Sequence, residues 1–200
     1  MLRSRLTLTA LALAATTALG AWGCSAAPCT DHEAGPVKLT GDYVGQTPPG
    51  AEPQLFAPGF VSTGLYERDV AMTADGNEFY FGLLSRSYAT IVVTKRVNGE
   101  WTPPELASFS TNPDFRDLEA HITPDGGRLL FLSTRPKPKR EYKPGWENQD
   151  IWAADRIPDG WNQPYNLSLP VNSDAPEYFP SVTRDGTIYF TREVTEGEKK

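Results

Sequence analysis

The sequence predicts an all-β chain, a β-propeller of four-stranded antiparallel blades, of which about two and a half are present. Three observations carry this. A turn of one chemistry recurs as Thr73-Ala74-Asp75-Gly76, Thr123-Pro124-Asp125-Gly126 and Thr183-Arg184-Asp185-Gly186, each followed by an aromatic or aliphatic run ending in Phe. The residues around these turns align with one another, the mark of a repeat array whose units bury their faces on their neighbours. No window shows sustained apolar spacing at the helical period, while 18 Pro and 17 Gly punctuate the chain. A β-sandwich is the other all-β solution, but it does not call for matching turn chemistry at a fixed repeat.

The first element, residues 1–23, reads as a signal peptide. Arg3 and Arg5 precede an apolar stretch from Leu6 to Leu19, too short to span a bilayer of ~30 Å. Ala21-Trp22-Gly23-Cys24 resembles a bacterial lipobox, with the small Gly23 before Cys24 and unusual residues at the two positions ahead of it. Cys24 is therefore the lipidation candidate, and ordinary cleavage near Gly20 or Ala27 is the alternative. If cleavage falls before Cys24, a local disulfide between Cys24 and Cys29 becomes conceivable in an oxidising compartment. Residues 24–53, rich in Ala, Gly, Pro and Thr, read as a flexible tether.

The incomplete propeller occupies 54–200. An outer-strand equivalent, Pro53-Gln54-Leu55, stands before the first blade, where closed propellers often use such a strand to join the two ends of the ring. Blade one, about 67–110, runs from Glu67 through the Asp75-Gly76 turn to Phe79-Tyr80-Phe81, then Ile91-Val92-Val93, the Asn98-Gly99 turn, Trp101 and Pro104-Glu105-Leu106. Blade two, about 117–170, repeats this as Asp117, Asp125-Gly126, Leu129-Leu130-Phe131, Ile151-Trp152-Ala153, Asp159-Gly160, Trp161 and Pro164 to Leu167. Partial blade three, about 177–200, has Glu177, Asp185-Gly186 and Ile188-Tyr189-Phe190 before the sequence stops in mid-blade. Asp-Gly and Asn-Gly between β-branched or aromatic runs are strong hairpin signals, so each full unit reads as four strands. Asp75, Asp125 and Asp185 read as acceptors for their own turn backbones, with Gly76, Gly126 and Gly186 taking positive φ.

The spacings locate one irregularity. Asp75 to Asp125 is 50 residues, whereas Ile91 to Ile151 and Trp101 to Trp161 are both 60. The extra residues fall in one loop, Arg135 to Gln149. A closed ring needs roughly four to eight blades, so the chain reads as a fragment or a truncated reading frame, with strand edges exposed on the last unit and a tendency to associate.

These units resemble the TolB-type, WD-repeat-like β-propeller family, whose blades centre on Ser/Thr-Pro-Asp-Gly before a strand. Thr123-Pro124-Asp125-Gly126 matches it fully, and Ala74 and Arg184 depart from it where the family has Pro. The lead-in Gly45 to Gly50 and Leu55 to Gly59 also resembles that of exported members. The resemblance covers roughly Asp42 to Arg192. It implies six blades in complete members, and it leaves the ligand open because the fold hosts many functions.

Formal net charge is −6, and removing Arg3 and Arg5 makes it −8. An acidic domain repels phosphate backbones, so nucleic acid is not expected as a partner. The one basic concentration is the insertion, with Arg135, Lys137, Lys139, Arg140 and Lys143 interleaved with Tyr142 and Trp146. Two readings stand: a solvated loop, or a contact arm for an anionic glycan or a protein in which Arg135, Lys139, Arg140, Tyr142 and Trp146 touch the ligand.

Chemistry is sparse. His32 lies in the tether and His121 on an inner strand, where it is either a satisfied strand histidine or a channel-facing polar group at a ligand mouth. No catalytic residue, metal ligand set or cofactor motif is assigned. Glu67, Asp117 and Glu177 recur with Arg86, Arg135 and Arg192 near blade ends, and repetition favours ties between neighbouring blades over catalysis, which needs two unlike environments. The Asn166-Leu167-Ser168 glycosylation pattern reads as chance in a bacterial-looking exported chain.

The sequence thus points to an exported propeller of a bacterial envelope, periplasmic or held to the membrane only through a lipid at Cys24, that binds a protein or glycan. The alternative is an enzyme: a glycan hydrolase or lyase, or the propeller of a serine peptidase whose catalytic domain follows residue 200.

Overall fold

Each Thr-x-Asp-Gly turn returns one short strand onto the next, and the apolar runs that follow set the sheets. The structure is a computed structural model that describes residues 39–138 and 141–194. The expected signal peptide, Cys24, Cys29 and His32 lie outside the described residues, as do Lys139 and Arg140 of the insertion.

In the first sheet β1 (Tyr66–Met72), β2 (Glu78–Leu84) and β3 (Ala89–Val97) form an antiparallel meander. The fourth strand is split into β4 (Glu100–Trp101) and β5 (Glu105–Leu106), both paired to β3. Pro103 and Pro104 lie in the break, where they have no N–H to give the ladder. The second sheet repeats the plan with β6 (Asp117–Ile122), β7 (Arg128–Ser133), β8 (Asp150–Ile157), β9 (Gly160–Trp161) and β10 (Tyr165–Asn166). Phe81 pairs with Val92 in the first sheet as Phe131 pairs with Trp152 in the second. The third shows β11 (Glu177–Val182) paired with β12 (Ile188–Arg192). These sheets are successive blades of a partial β-propeller.

Alternation along the strands gives blades one and two apolar residues on both faces, and each of those faces meets a neighbour. Tyr80, Ile91 and Val93 of blade one pack on Leu129, Phe131, Trp152 and Ala154 of blade two, with Phe109 from the connection between them. Leu130, Ile151 and Ala153 on the other face of blade two pack on Val182, Ile188 and Phe190 of blade three. Burying a side chain such as Phe131 contributes about 2 kcal/mol, so these interfaces are the main cohesive element. A charged link reinforces the first. Arg156 donates to Glu78 at 2.6 and 3.2 Å and lies over the Trp161 ring at 4.1 Å. The Trp161 indole N–H donates to the Tyr80 hydroxyl at 2.8 Å.

The remaining face of blade one, with Phe79, Phe81, Val92 and Trp101, is covered by residues ahead of β1: Val44, Ala57 and Val61, with Leu39, Phe56 and Phe60 beside them. Within the stretch read as a tether, residues 39–46 therefore pack on a blade. Pro53-Gln54-Leu55 forms no strand, and Leu55 is 72% exposed. The segment satisfies its backbone locally instead, through Gln46, whose side chain donates to Leu55 O at 3.0 Å and accepts from Ala57 N at 2.6 Å.

Every inner strand carries a bulge at the same repeat position. Register slips between Arg68 and Ala71, Leu118 and His121, and Tyr178 and Ser181. The residue two after the recurring acid has positive φ in each: Asp69 at 56°, Glu119 at 62° and Phe179 at 52°. Such conformations cost non-glycine residues on the order of 1 kcal/mol or more and persist where the surroundings over-determine them.

Candidate functional site

The insertion between β7 and β8 has a root and a tip with different chemistry. At the root, the Arg135 side chain is 11% exposed and pairs with Asp117, 1% exposed, at 2.6 Å. Its guanidinium also donates to Phe109 O and to Ser133 Oγ, and lies between 5.2 and 5.8 Å from the Phe131, Phe115 and Trp152 ring centroids. Burial pushes the Asp117 carboxyl upward, and Arg135 works against that. Lys137 is buried beside Asp150 at 2.7 Å, and burial likewise raises the Asp150 carboxyl. Lys143 pairs with Glu147 at 3.4 Å on the surface. Three of the five cations that mark the loop in sequence are thus matched by the protein's own carboxylates, and the other two, Lys139 and Arg140, lie outside the described residues. Arg135 is thus a mostly enclosed cation tied into the root by Asp117, Phe109 and Ser133.

The tip is aromatic. Gly145, with φ of 90°, turns the chain into a single 3₁₀ turn, Trp146–Asn148. Asn148 is buried and its side-chain amide donates to Lys143 O, while the Gln149 amide donates to Trp146 O at 3.0 Å. Trp146 is 38% exposed, and the Arg116 guanidinium lies 5.0 Å from its ring centroid. Tyr142 meets Phe115 edge to face at 6.3 Å and donates its hydroxyl to Asp114 O at 3.4 Å. The loop before β6 and the insertion therefore build one ridge from Phe115, Arg116, Tyr142 and Trp146. Of the sequence candidates the structure brings Tyr142 and Trp146 together here. Phe115 and Arg116 escaped the sequence reading. Their signal was available as Arg116 before Asp117, where the other units have Tyr66 and Pro176.

His121 lies elsewhere, on β6. Its Nε2 accepts from Val182 N at 3.0 Å, a contact that bridges blades two and three and needs that nitrogen unprotonated, and burial lowers its pKa. Beside it, Glu119 accepts from Phe179 N at 2.7 Å and lies 3.5 Å from Arg68 of blade one. Arg68 also donates to Asp69 and lies 5.7 Å from the Phe179 ring centroid. Burial, with the Asp69 charge adding to it, pushes the Glu119 carboxyl up to about 7. One side chain thereby links the inner strands of all three blades at their strained bulges.

The recurring acids and arginines act within blades and onto the connections between them. Arg192 donates to Glu177 at 2.7 Å, and to Pro170 O and Val171 O of the preceding connection. Arg135 treats Asp117 and Phe109 in the same way. Glu67 is held by the hydroxyl and N–H of Thr63, and Arg86 is exposed. The turn acids accept from their own loops. Asn77 N, Gly127 N and Thr187 N donate at 3.0 to 3.2 Å to Asp75, Asp125 and Asp185, and Gly76, Gly126 and Gly186 have φ of 70°, 71° and 87°. Asn166 of the glycosylation pattern gives its amide to Asp150 at 2.7 Å. A cleft of about 590 Å³ lies between the turns of blades two and three, with Arg128, Asp155 and Arg184 on its walls. Among the described residues no group of three or more His, Cys, Asp or Glu is placed to hold a metal ion.

No protein-family model matches the chain, and no curated protein matches it. Among solved structures it is similar to the crystal structure of TolB from Acinetobacter baumannii, at 18% identity and a TM-score of 0.43. The match covers 68% of this chain and 28% of that one.

Proposed function

We propose that the protein is an exported propeller of a bacterial envelope that binds a protein or glycan partner through the ridge formed by Phe115, Arg116, Tyr142 and Trp146. The observation that supports this is the tip of the insertion. The loop that breaks the repeat holds an exposed Trp146 against Arg116, while Arg135 and Lys137 at its root pair with buried carboxylates. A loop kept merely for solubility has no use for an exposed indole, whereas aromatic rings backed by Arg are the usual anchors of interfaces. Recognition on this reading rests on aromatic surface more than on positive charge. Residues 1–23 would act as the export signal, with Cys24 as the lipid-bearing residue of a tether.

The test is binding of the purified full chain to defined envelope glycans and to solubilised envelope proteins, beside Trp146→Ala and Tyr142→Ala. The expected result is a bound species whose affinity falls about tenfold or more in each variant, with thermal stability unchanged. Equal binding by the unaltered chain and both variants would remove the ridge as the site.

A further inference from the structure

Blades one and two each reach back to the element ahead of them with the same three devices. In blade two, Leu129 and Phe131 pack on blade one, Trp161 donates its indole N–H to Tyr80, and Arg156 pairs with Glu78. In blade one the equivalents are Phe79 and Phe81, fifty residues before Leu129 and Phe131, and Trp101 and Arg96, sixty residues before Trp161 and Arg156. These do not reach a blade. Phe79 and Phe81 pack on Val44, Ala57 and Val61, the Trp101 indole N–H donates to Gly41 O at 2.8 Å, and Arg96 pairs with Asp42 at 2.6 Å.

We infer that residues 39–61 are a blade mimic, a capping element that supplies to blade one the apolar contact, the indole acceptor and the carboxylate that blade one itself supplies to blade two. The backbone of the segment is shaped for this. Tyr43 and Val44 are left-handed, at φ 51° and 57°, inside the turn that buries Val44 and presents Gly41 O and Asp42. A Cβ on Gly45 would stand 2.8 Å from Thr40 O, so the turn closes only around glycine. Thr40 bridges Glu100, and Leu39 O accepts from Trp101 N at 2.8 Å, which extends the outer hairpin of blade one by a strand-like contact.

The covered surface is consequently a blade-docking face. The partner it fits is a blade of this same repeat whose second strand opens, as blade one's does, with an acid at the position of Glu78 and a hydroxyl at that of Tyr80. Blades two and three carry Arg128 and Leu130, and Thr187 and Tyr189, at those places, so neither offers the full pattern. Any blade that docks on this face must displace the lead-in. Terminal caps of this kind are what repeat arrays use to keep an end unit from pairing with another copy.

The test uses the full chain carrying Val44→Asp, which puts a charge into the buried contact without altering a blade. Amide exchange, dye binding and light scattering are read beside the unaltered chain. A blade mimic predicts exchange about tenfold or more faster across 39–61, dye binding at the uncovered face, concentration-dependent association, and unchanged protection of β7 and β8. Loss of protection in all sheets together overturns the inference, because the segment would then be part of a general core. Release without dye binding or association overturns it too. A second pair, Arg96→Glu alone and with Asp42→Arg, reads the ionic contact: faster exchange at 39–46 in the first and recovery in the second support the mimicry, and failure of the second to recover overturns it.

Discussion

At the scale of single residues, Glu119 combines an off-pattern backbone, burial and bridging partners. Its carboxyl is pushed up to about 7 from an ordinary value of 4.5, so the folded chain holds a proton there that the unfolded chain has released. Stability falls as pH rises between those values, because the native state is the one that must give up a bound proton. Above about 7 the effect is complete. Its size is on the order of 3 kcal/mol. His121 acts in the opposite sense: its pKa is lowered on folding, so its contribution is lost as the pH falls below the ordinary histidine value. Comparison with Glu119→Gln isolates the carboxylate. Chemical denaturation from pH 5 to 8 should show the unaltered chain losing stability relative to the variant as pH rises. Parallel profiles for the two chains would show that Glu119 is not the group responsible.

At the scale of elements, the repeat is held by devices that sit at fixed register but are made from different residues. Arg192 faces Glu177 directly across the β11–β12 pair. In blade two the facing residue is Ser133, and the guanidinium comes instead from Arg135 two residues on, within the insertion. Gly82 illustrates the cost of close approach between blades. It pairs with Arg68 at the bulge, and a Cβ there would lie 2.8 Å from Leu118 Cδ2 of blade two, although Leu132 fills the same register in β7. Gly82→Ala forces Leu118 or a backbone to move and should lower unfolding stability by about 1–3 kcal/mol. An unchanged denaturation midpoint would show that Leu118 repacks freely. The turns were legible from sequence because their chemistry closes within a few residues, as with Thr123 and Asp125 at 2.6 Å. The split of each fourth strand was half legible. The proline was visible, but whether it sat in a strand or between two depended on pairing to β3 and β8.

At the scale of the whole molecule, the described residues form a stack in which each sheet is buried on the next and the lead-in closes one end. No helix among them is long and apolar enough to cross a membrane. The proposed membrane attachment is through a lipid on Cys24. It predicts that the protein expressed with its own leader fractionates with membranes and carries a lipid on Cys24. Cys24→Ser should release it to the soluble fraction. Mass spectrometry of an unmodified amino terminus at another residue in the unaltered protein would remove the anchor.

The order of strands, the blade repeat and the place of the insertion were set by the sequence itself. They follow from periodicity and from turns whose donors and acceptors are close along the chain. The assignment of charges was decided only by tertiary structure. Arg135 and Lys137 look in sequence like members of a basic arm, yet their partners Asp117 and Asp150 lie across the sheet or beyond the loop, and burial couples them there. The role of the lead-in was decided in the same way. Nothing local in Asp42 or Val44 names Arg96, Phe81 or Trp101 as neighbours; the match is one of shape and charge between segments more than thirty residues apart, and only packing brings it into being.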